Sequence, residues 1–233
     1  MTKPQVLFVL TSHSELGDTG KKIGWYLPEF AHPYNVLAPH SDITVASPAG
    51  GKAPLDPSSV EYFKDDAECV SFHQEKAALW ETTQKLSDLV DSADRFSAIF
   101  FVGGHGPMFD LATNPTSHAL IRNLHASDRI ISAVCHGPAA LANVRLHDGS
   151  YLIADAPVTG FSDAEEDAMG FTPYMPFSLQ EALDRNSGGR FEKAGGNMEP
   201  WVVVAKGGKL LTGQNPASSK PLAEEILKRL REG

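Results

Sequence analysis

The sequence predicts an α/β fold: a central, mostly parallel sheet with helices on both faces, elaborated by inserted lid segments. Three observations predict it. Short, near-continuous runs of Val, Ile, Leu and Phe recur along the chain, as expected of strands that helices cover on both faces. Helical patterns alternate with these runs, which is the rhythm of βαβ units. Two of the runs, Ala98–Val102 and Ile130–Val134, pass straight into Gly-rich turns followed by helix starts. Such carboxyl-terminal strand ends are where open α/β sheets bind ligands.

Taken in order, Gln5–Leu10 is the first strand. Residues 12–39 follow as a long segment rich in Gly, Pro and His, which reads as the first insertion. Ile43–Ala46 is the second strand. Pro48–Asp66 holds five turn-forming Pro or Gly residues and ends on an acidic edge. Glu75–Val90 predicts a helix, with Leu79, Leu86 and Leu89/Val90 along one stripe. Ala98–Val102 and Ile130–Val134 supply the middle strands. Residues 161–197 form a second insertion with a helical piece at Ser178–Asp184 and a Gly-rich turn at Ser187–Gly189. Trp201–Val204 and Lys209–Leu211 are the last strands. The closing helix, Lys220–Arg231, sets Leu222, Ile226 and Leu230 at steps of four, with Glu224–Lys228 and Glu225–Arg229 pairs in the favourable order. No repeat, low-complexity tract or Pro/Ser linker divides the chain. The 233 residues read as one domain (1–233) of flavodoxin-like type.

Composition narrows the function. Lys and Arg number 20 against 29 Asp and Glu, a net charge of −9, and the basic residues are scattered. Such a surface repels phosphate backbones and anionic lipid, so neither a nucleic-acid nor a membrane partner is expected. The apolar runs are far shorter than a bilayer span. The N-terminal apolar run is of strand length, follows a single Lys3 and leads to polar Thr11-Ser12-His13, so no signal peptide is expected. Two cysteines, Cys69 and Cys135, are too few for a disulfide scaffold, and a reducing cytoplasmic location is expected.

The chemistry centres on Ile130-Ile131-Ser132-Ala133-Val134-Cys135-His136-Gly137-Pro138. A buried strand runs into a Cys-His pair and then helix formers, the layout of a nucleophile elbow. A free cysteine is most often a small buried hydrophobe, but this context outweighs that reading. A helix N-terminus and His136 beside Cys135 predict a lowered thiol pKa, whereas the acidic stretch before Cys69 predicts the opposite there. Upstream, Gly103-Gly104-His105-Gly106-Pro107 fits neither a dinucleotide fingerprint nor a phosphate loop. Its expected use is a backbone N–H beside Cys135, as an oxyanion donor; a plain tight turn is the simpler alternative.

Ala133–Pro138 with Gly104-His105-Gly106 resembles the ThiJ/PfpI superfamily, also called class I glutamine amidotransferase-like. Glu29-Phe30-Ala31-His32-Pro33-Tyr34, Thr159–Glu166 and Leu211–Ser218 are similar to segments of its branch of glutathione-independent glyoxalase III and heat-shock chaperones. The resemblance covers essentially the whole chain. It implies Cys135 as nucleophile, with His136 beside it held by a carboxylate, Glu166 by motif although Glu165 is adjacent. It implies Glu29 as a buried general acid/base touching the thiol, and the N–H groups of Gly104 and His136 as oxyanion donors. It also implies a homodimer. The metal site of some bacterial relatives finds no counterpart, because His32, His40, His73, His105 and His118 show no acids at ligand spacing. No metal and no cofactor are expected.

These groups suit a cofactor-free glyoxalase that converts methylglyoxal and similar small 2-oxoaldehydes to 2-hydroxy acids such as D-lactate. The thiolate adds to the aldehyde, a carboxylate moves a proton between the carbons, and water releases the acid. The rivals are a cysteine-dependent hydrolase or deglycase on the same elbow, and a stress-responsive holdase chaperone whose surface matters more than its thiol.

Overall fold

The structure is a computed structural model and describes residues 3–232. In chain order, β1 (Gln5–Val9) leads through α1 (Leu27–Leu37) to β2 (Asp42–Ser47). Helices α2 (Pro57–Tyr62), α3 (Ala67–Glu75) and α4 (Ala78–Glu81) precede the two-residue edge strand β3 (Gln84–Lys85). The middle of the chain is β4 (Ala98–Phe101), α5 (Pro107–Asp110), α6 (Pro115–Ala126), β5 (Ile130–Val134) and α7 (Ala139–Ala142). Then come α8 (Asp163–Met169), α9 (Leu179–Ser187), β6 (Val202–Ala205), β7 (Leu210–Gly213) and α10 (Ser219–Glu232).

The strands form one seven-stranded sheet in the order β3-β2-β1-β4-β5-β7-β6. Neighbours pair in parallel except β6 with β7. Their connection is a single turn at Lys206–Gly208, too short for a parallel crossover, so a hairpin results. Right-handed crossovers put a helix on one face when the chain moves from β1 to β2, and on the other when it moves from β4 to β5. The packing agrees: α1 lies against α3 and α10, and α6 against α7 and β5. The chain's direction across the sheet reverses between β1 and β4, and the crevice above their carboxyl ends is the natural ligand site. Among the described residues, no helix is long and apolar enough to cross a membrane.

The middle of the sheet is sealed on both sides, with β4 and β5 buried at every residue. Phe8 of β1 meets Phe30 of α1 and Phe100 of β4 at ring-centroid distances of 5.2 and 5.1 Å. Burying a side chain of this size is worth about 1.5–3 kcal/mol. Anchoring Phe30 fixes the adjacent Glu29 inside the molecule.

Three predicted segments differ from the structure. Residues 12–39 are not one insertion, because 27–37 form the crossover helix α1. Pro28 sits in its first turn, where the missing N–H was unpartnered anyway. Pro33 lies inside the helix, yet Leu27, Phe30, Ala31 and Leu37 are buried and outweigh the local penalty. Residues 161–197 contain the helical piece expected at Ser178–Asp184, as α9, and a second helix, α8, that was not expected. The continuous helix expected over Glu75–Val90 is broken up: α3 ends at Glu75, α4 is one turn at Ala78–Glu81, and further short turns follow β3. Thr83 exchanges backbone hydrogen bonds of 2.9 Å with Gly51, and its hydroxyl donates to the Gly51 carbonyl at 2.7 Å. That edge pairing replaces the helix, while Leu86 and Leu89 reach the core from successive turns. On α10, Glu225 rather than Glu224 takes Lys228, at 3.8 Å, together with Arg229 at 3.6 Å.

Candidate active site

β5 ends at Val134, and the next residue, Cys135, has φ of 59°. An L-residue there is strained by about 1–2 kcal/mol, so its neighbours must hold it. They do so from three sides. The Cys135 N–H donates to the Gly213 carbonyl at 2.9 Å, the Phe161 N–H to the Cys135 carbonyl at 2.8 Å, and the Gly137 N–H back to Val134 at 2.7 Å. Gly137 itself has no space for a side chain, since a Cβ would lie 2.5 Å from the Phe101 carbonyl. The elbow aims the buried thiol at a cavity of about 870 Å³.

His136 Nδ1 stands 3.3 Å from the Cys135 sulfur, and its Nε2 lies 2.6 Å from Glu166 Oε2. When Nε2–H donates to Glu166, Nδ1 is left as an acceptor for the thiol proton. The other Glu166 oxygen pairs with His105 Nε2 at 3.0 Å. Burial opposes ionisation of Glu166, yet the two imidazoles hold its carboxyl far below the usual range. Burial pushes the His105 pKa down, and the neighbouring His136 adds to this against the pull of Glu166. Glu165 faces elsewhere: it caps α8 through Ser162 and accepts from Asn215 at 2.8 Å. Of the two adjacent glutamates, the geometry gives Glu166 to the histidines.

Glu29 is completely buried. Its carboxyl lies over Gly103, where a Cβ would collide with Glu29 Oε2 and sit 2.9 Å from the Cys135 Cβ. A glycine at 103 is therefore what lets carboxyl and thiol share one space. The Cys135 thiol and the N–H groups of Gly103 and Gly104 face Glu29, but neither carboxyl oxygen has a hydrogen bond of good geometry. Burial pushes the Glu29 carboxyl well above its usual range, with the thiol and those N–H groups pulling the other way.

Burial also pushes the Cys135 thiol up, and a charged Glu29 would add to it. This corrects the expectation of a low-pKa thiol at a helix N-terminus. The helix that follows, α7, is a single turn starting only at Ala139, so it cannot offset complete burial. Burial favours the protonated form of both Cys135 and Glu29, and the two groups titrate as an interacting pair. A neutral Glu29 removes the repulsion felt by the thiolate and can donate to it. At Cys69, burial first and Asp66 second push the thiol up to about 12.

Gly104 adopts φ of 88°, and its N–H favours the ionised sulfur. The His136 N–H follows directly on Cys135. Sequence reasoning missed two groups. His105 reads from sequence as part of a turn and as a histidine with no acid at ligand spacing, because 61 residues separate it from Glu166. Tyr26 lines the cavity, and burial, then the Glu29 charge, keep its phenol protonated well above the usual range; no motif marked it. The statement that the histidines lack acid partners is also overturned. His32 pairs with Asp66 at 3.0 Å across 34 residues, and His105 with Glu166, separations that short-range spacing does not register. Two groups, His32–Asp66–Cys69 and His105–His136–Glu166, bring their ligating atoms within 4.8 Å of one another.

The model of the DJ-1/PfpI family matches residues 29–229. The chain is 30% identical to Glyoxalase 3 of Candida albicans, over 96% of this chain and 97% of that protein. It is also 30% identical to a glutathione-independent glyoxalase of Schizosaccharomyces pombe, over 91% of this chain and 90% of that one. The crystal structure of glyoxalase III from Candida albicans superimposes with a TM-score of 0.81 at 27% identity, covering 97% of this chain and 96% of that one.

Proposed function

The chain belongs to the DJ-1/PfpI family, and from that premise we propose that it is a glutathione-independent glyoxalase acting on small 2-oxoaldehydes. The observation that carries the reading is Glu29. A Cys–His–Glu hydrolase needs only Cys135, His136 and Glu166. Here a second carboxyl, buried and without a good hydrogen bond, sits against the nucleophile and keeps a proton. A group so placed suits proton transfer at carbon.

The steps follow from the geometry. The sulfur adds to the aldehyde carbon as its proton passes to His136 Nδ1, whose positive charge Glu166 balances. Glu29 protonates the aldehyde oxygen, giving a hemithioacetal. The resulting carboxylate takes the proton from that carbon while His136 returns its proton to the adjacent carbonyl oxygen, and an enediol results. Glu29 then protonates the second carbon and recovers a proton from the first hydroxyl, leaving a thioester of the 2-hydroxy acid. Water adds with His136 as base, the N–H groups of Gly104 and His136 stabilise the oxyanion, and Cys135 leaves as thiol. One water is consumed and both acid/base groups return to their starting state.

The relatives' names support this substrate class, and the reading extends to a homodimer in a reducing cytoplasm. The test is methylglyoxal turnover without glutathione, following 2-hydroxy acid production. Wild-type protein should turn over and Cys135→Ser should not. A folded wild-type protein without turnover, or a Cys135→Ser protein with normal turnover, defeats the proposal.

A further inference from the structure

A second cluster of ligating side chains lies beside the same cavity, apart from the reacting thiol. His32, three residues after Glu29 on α1, lines the cavity. Opposite it, Asp66 caps α3 and Cys69 stands in that helix's first turn. Asp66 Oδ1 accepts the Cys69 N–H at 3.0 Å, which fixes the carboxylate and leaves Oδ2 at 3.0 Å from His32 Nε2. The Cys69 sulfur stands 3.7 Å from that same nitrogen. All three ligating atoms lie within 4.8 Å of one another.

A ring nitrogen has one proton or one lone pair to offer, so it can serve an oxygen and a sulfur together only by dividing one weak bond between them. Atoms converging in this way are spaced like ligands around a common centre. With usual zinc bond lengths, tetrahedral geometry separates N and O ligands by about 3.3 Å and N and S ligands by about 3.6 Å. The observed 3.0 and 3.7 Å need only small rotamer adjustments.

We propose that His32, Asp66 and Cys69 bind one divalent ion of zinc type, leaving a fourth position for water. A thiol, an imidazole and a single carboxylate favour zinc or cobalt over magnesium or calcium. Coordination replaces the S–H bond with a metal–thiolate bond, and the proton leaves to solvent. Access exists, because the His32 and Asp66 side chains are 17% and 29% exposed. The nearby Glu68 is occupied elsewhere, held by Lys220 at 2.8 Å and Asn35 at 3.2 Å. The ion would clamp α3 to α1 close to Glu29, and it is not a participant in the steps at Cys135.

Cobalt(II) titration of chelator-treated protein is the test. One cobalt per chain should give the visible bands of tetrahedral cobalt and a near-ultraviolet thiolate-to-cobalt band, and added zinc should bleach both. Cys69→Ser should abolish the thiolate band, Cys135→Ser should leave it intact, and His32→Gln should weaken binding at least roughly tenfold, in line with losing one ligand. Circular dichroism establishes that each variant is folded. Absence of a stoichiometric spectrum in wild-type protein overturns the proposal. So does a thiolate band that survives Cys69→Ser and disappears in Cys135→Ser.

Discussion

Two carboxyl groups meet the Cys135 site from different parts of the chain, and their surroundings treat them in opposite ways. Glu29 comes from the crossover helix α1 and Glu166 from α8, in the excursion before β6. Both are buried, at 0% and 7% exposure. Burial alone would keep a proton on each. Glu166 instead faces two imidazoles at 2.6 and 3.0 Å and ionises readily, whereas Glu29 faces a thiol and keeps its proton. Neighbours, rather than depth, divide the two roles, with one carboxyl set to move protons and the other to hold a histidine.

The comparison is broken most directly at Glu29. Glu29→Gln keeps the shape without the acid/base group, and kcat/KM on methylglyoxal should fall by about 10²–10⁴, while the hemithioacetal can still form with a proton from solvent. Activity within a few-fold of wild type in a folded variant would remove Glu29 from the mechanism and favour the hydrolase. Glu166→Gln should do less. Losing a charged hydrogen-bond partner, at about 1.5–3 kcal/mol, corresponds to a loss of roughly ten- to a hundredfold in kcat. A larger loss than that of Glu29→Gln would reverse the assigned roles.

Stability should separate the two carboxyls by sign. Folded Glu29 keeps a proton that the unfolded chain releases near its ordinary value of 4.5, so its contribution is full below that value and declines as pH rises toward the folded value. Glu29→Gln removes this decline, and its Tm relative to wild type should climb as pH rises above 4.5. Glu166 has a lowered folded value, so its contribution is present above 4.5 and is lost as pH falls below it. Glu166→Gln should melt lower at neutral pH and converge with wild type in acid. Thermal melts across that range decide it, and parallel curves for both variants would contradict the contrast. The smallest effect concerns support of the histidine side. The Lys21 ammonium lies 3.9 Å from the Phe171 ring centroid, and that ring meets His105 edge-on. The contact is worth about 0.5–1 kcal/mol at an exposed site, so Lys21→Ala should cost about that much stability, read as a small fall in Tm, with kcat unchanged. A fall in kcat instead would make Lys21 part of the chemistry.

What was legible in the sequence follows from how local each cause is. The runs at Gln5, Ala98 and Ile130 announce strands because burial on both faces demands continuous apolar residues, and the same continuity exposes the Cys135 elbow. Helix α1 was hidden by Pro28 and Pro33, whose penalty is local while the compensating burial of Phe30 is not. The stripe from Leu79 to Val90 misled for the converse reason: its leucines do reach the core, but the pairing of Thr83 with Gly51 prevents one helix from carrying them. At the site, Cys135, His136, Gly104, Glu29 and Glu166 came from motifs and resemblance. The links from His105 to Glu166 and from His32 to Asp66 and Cys69 exist only after distant segments pack, as does the space at Gly103.

The bond from the Cys135 N–H to the Gly213 carbonyl has a consequence for biosynthesis. Gly213 ends β7, the last strand to leave the ribosome. Synthesis proceeds from the N-terminus, so a growing chain carries Cys135 long before the strand that locks its backbone exists. In that interval the Cys135 N–H lacks the carbonyl that it meets in the folded chain. A chain cut short before Leu210 would carry the Cys135 sulfur without the strand that holds its backbone.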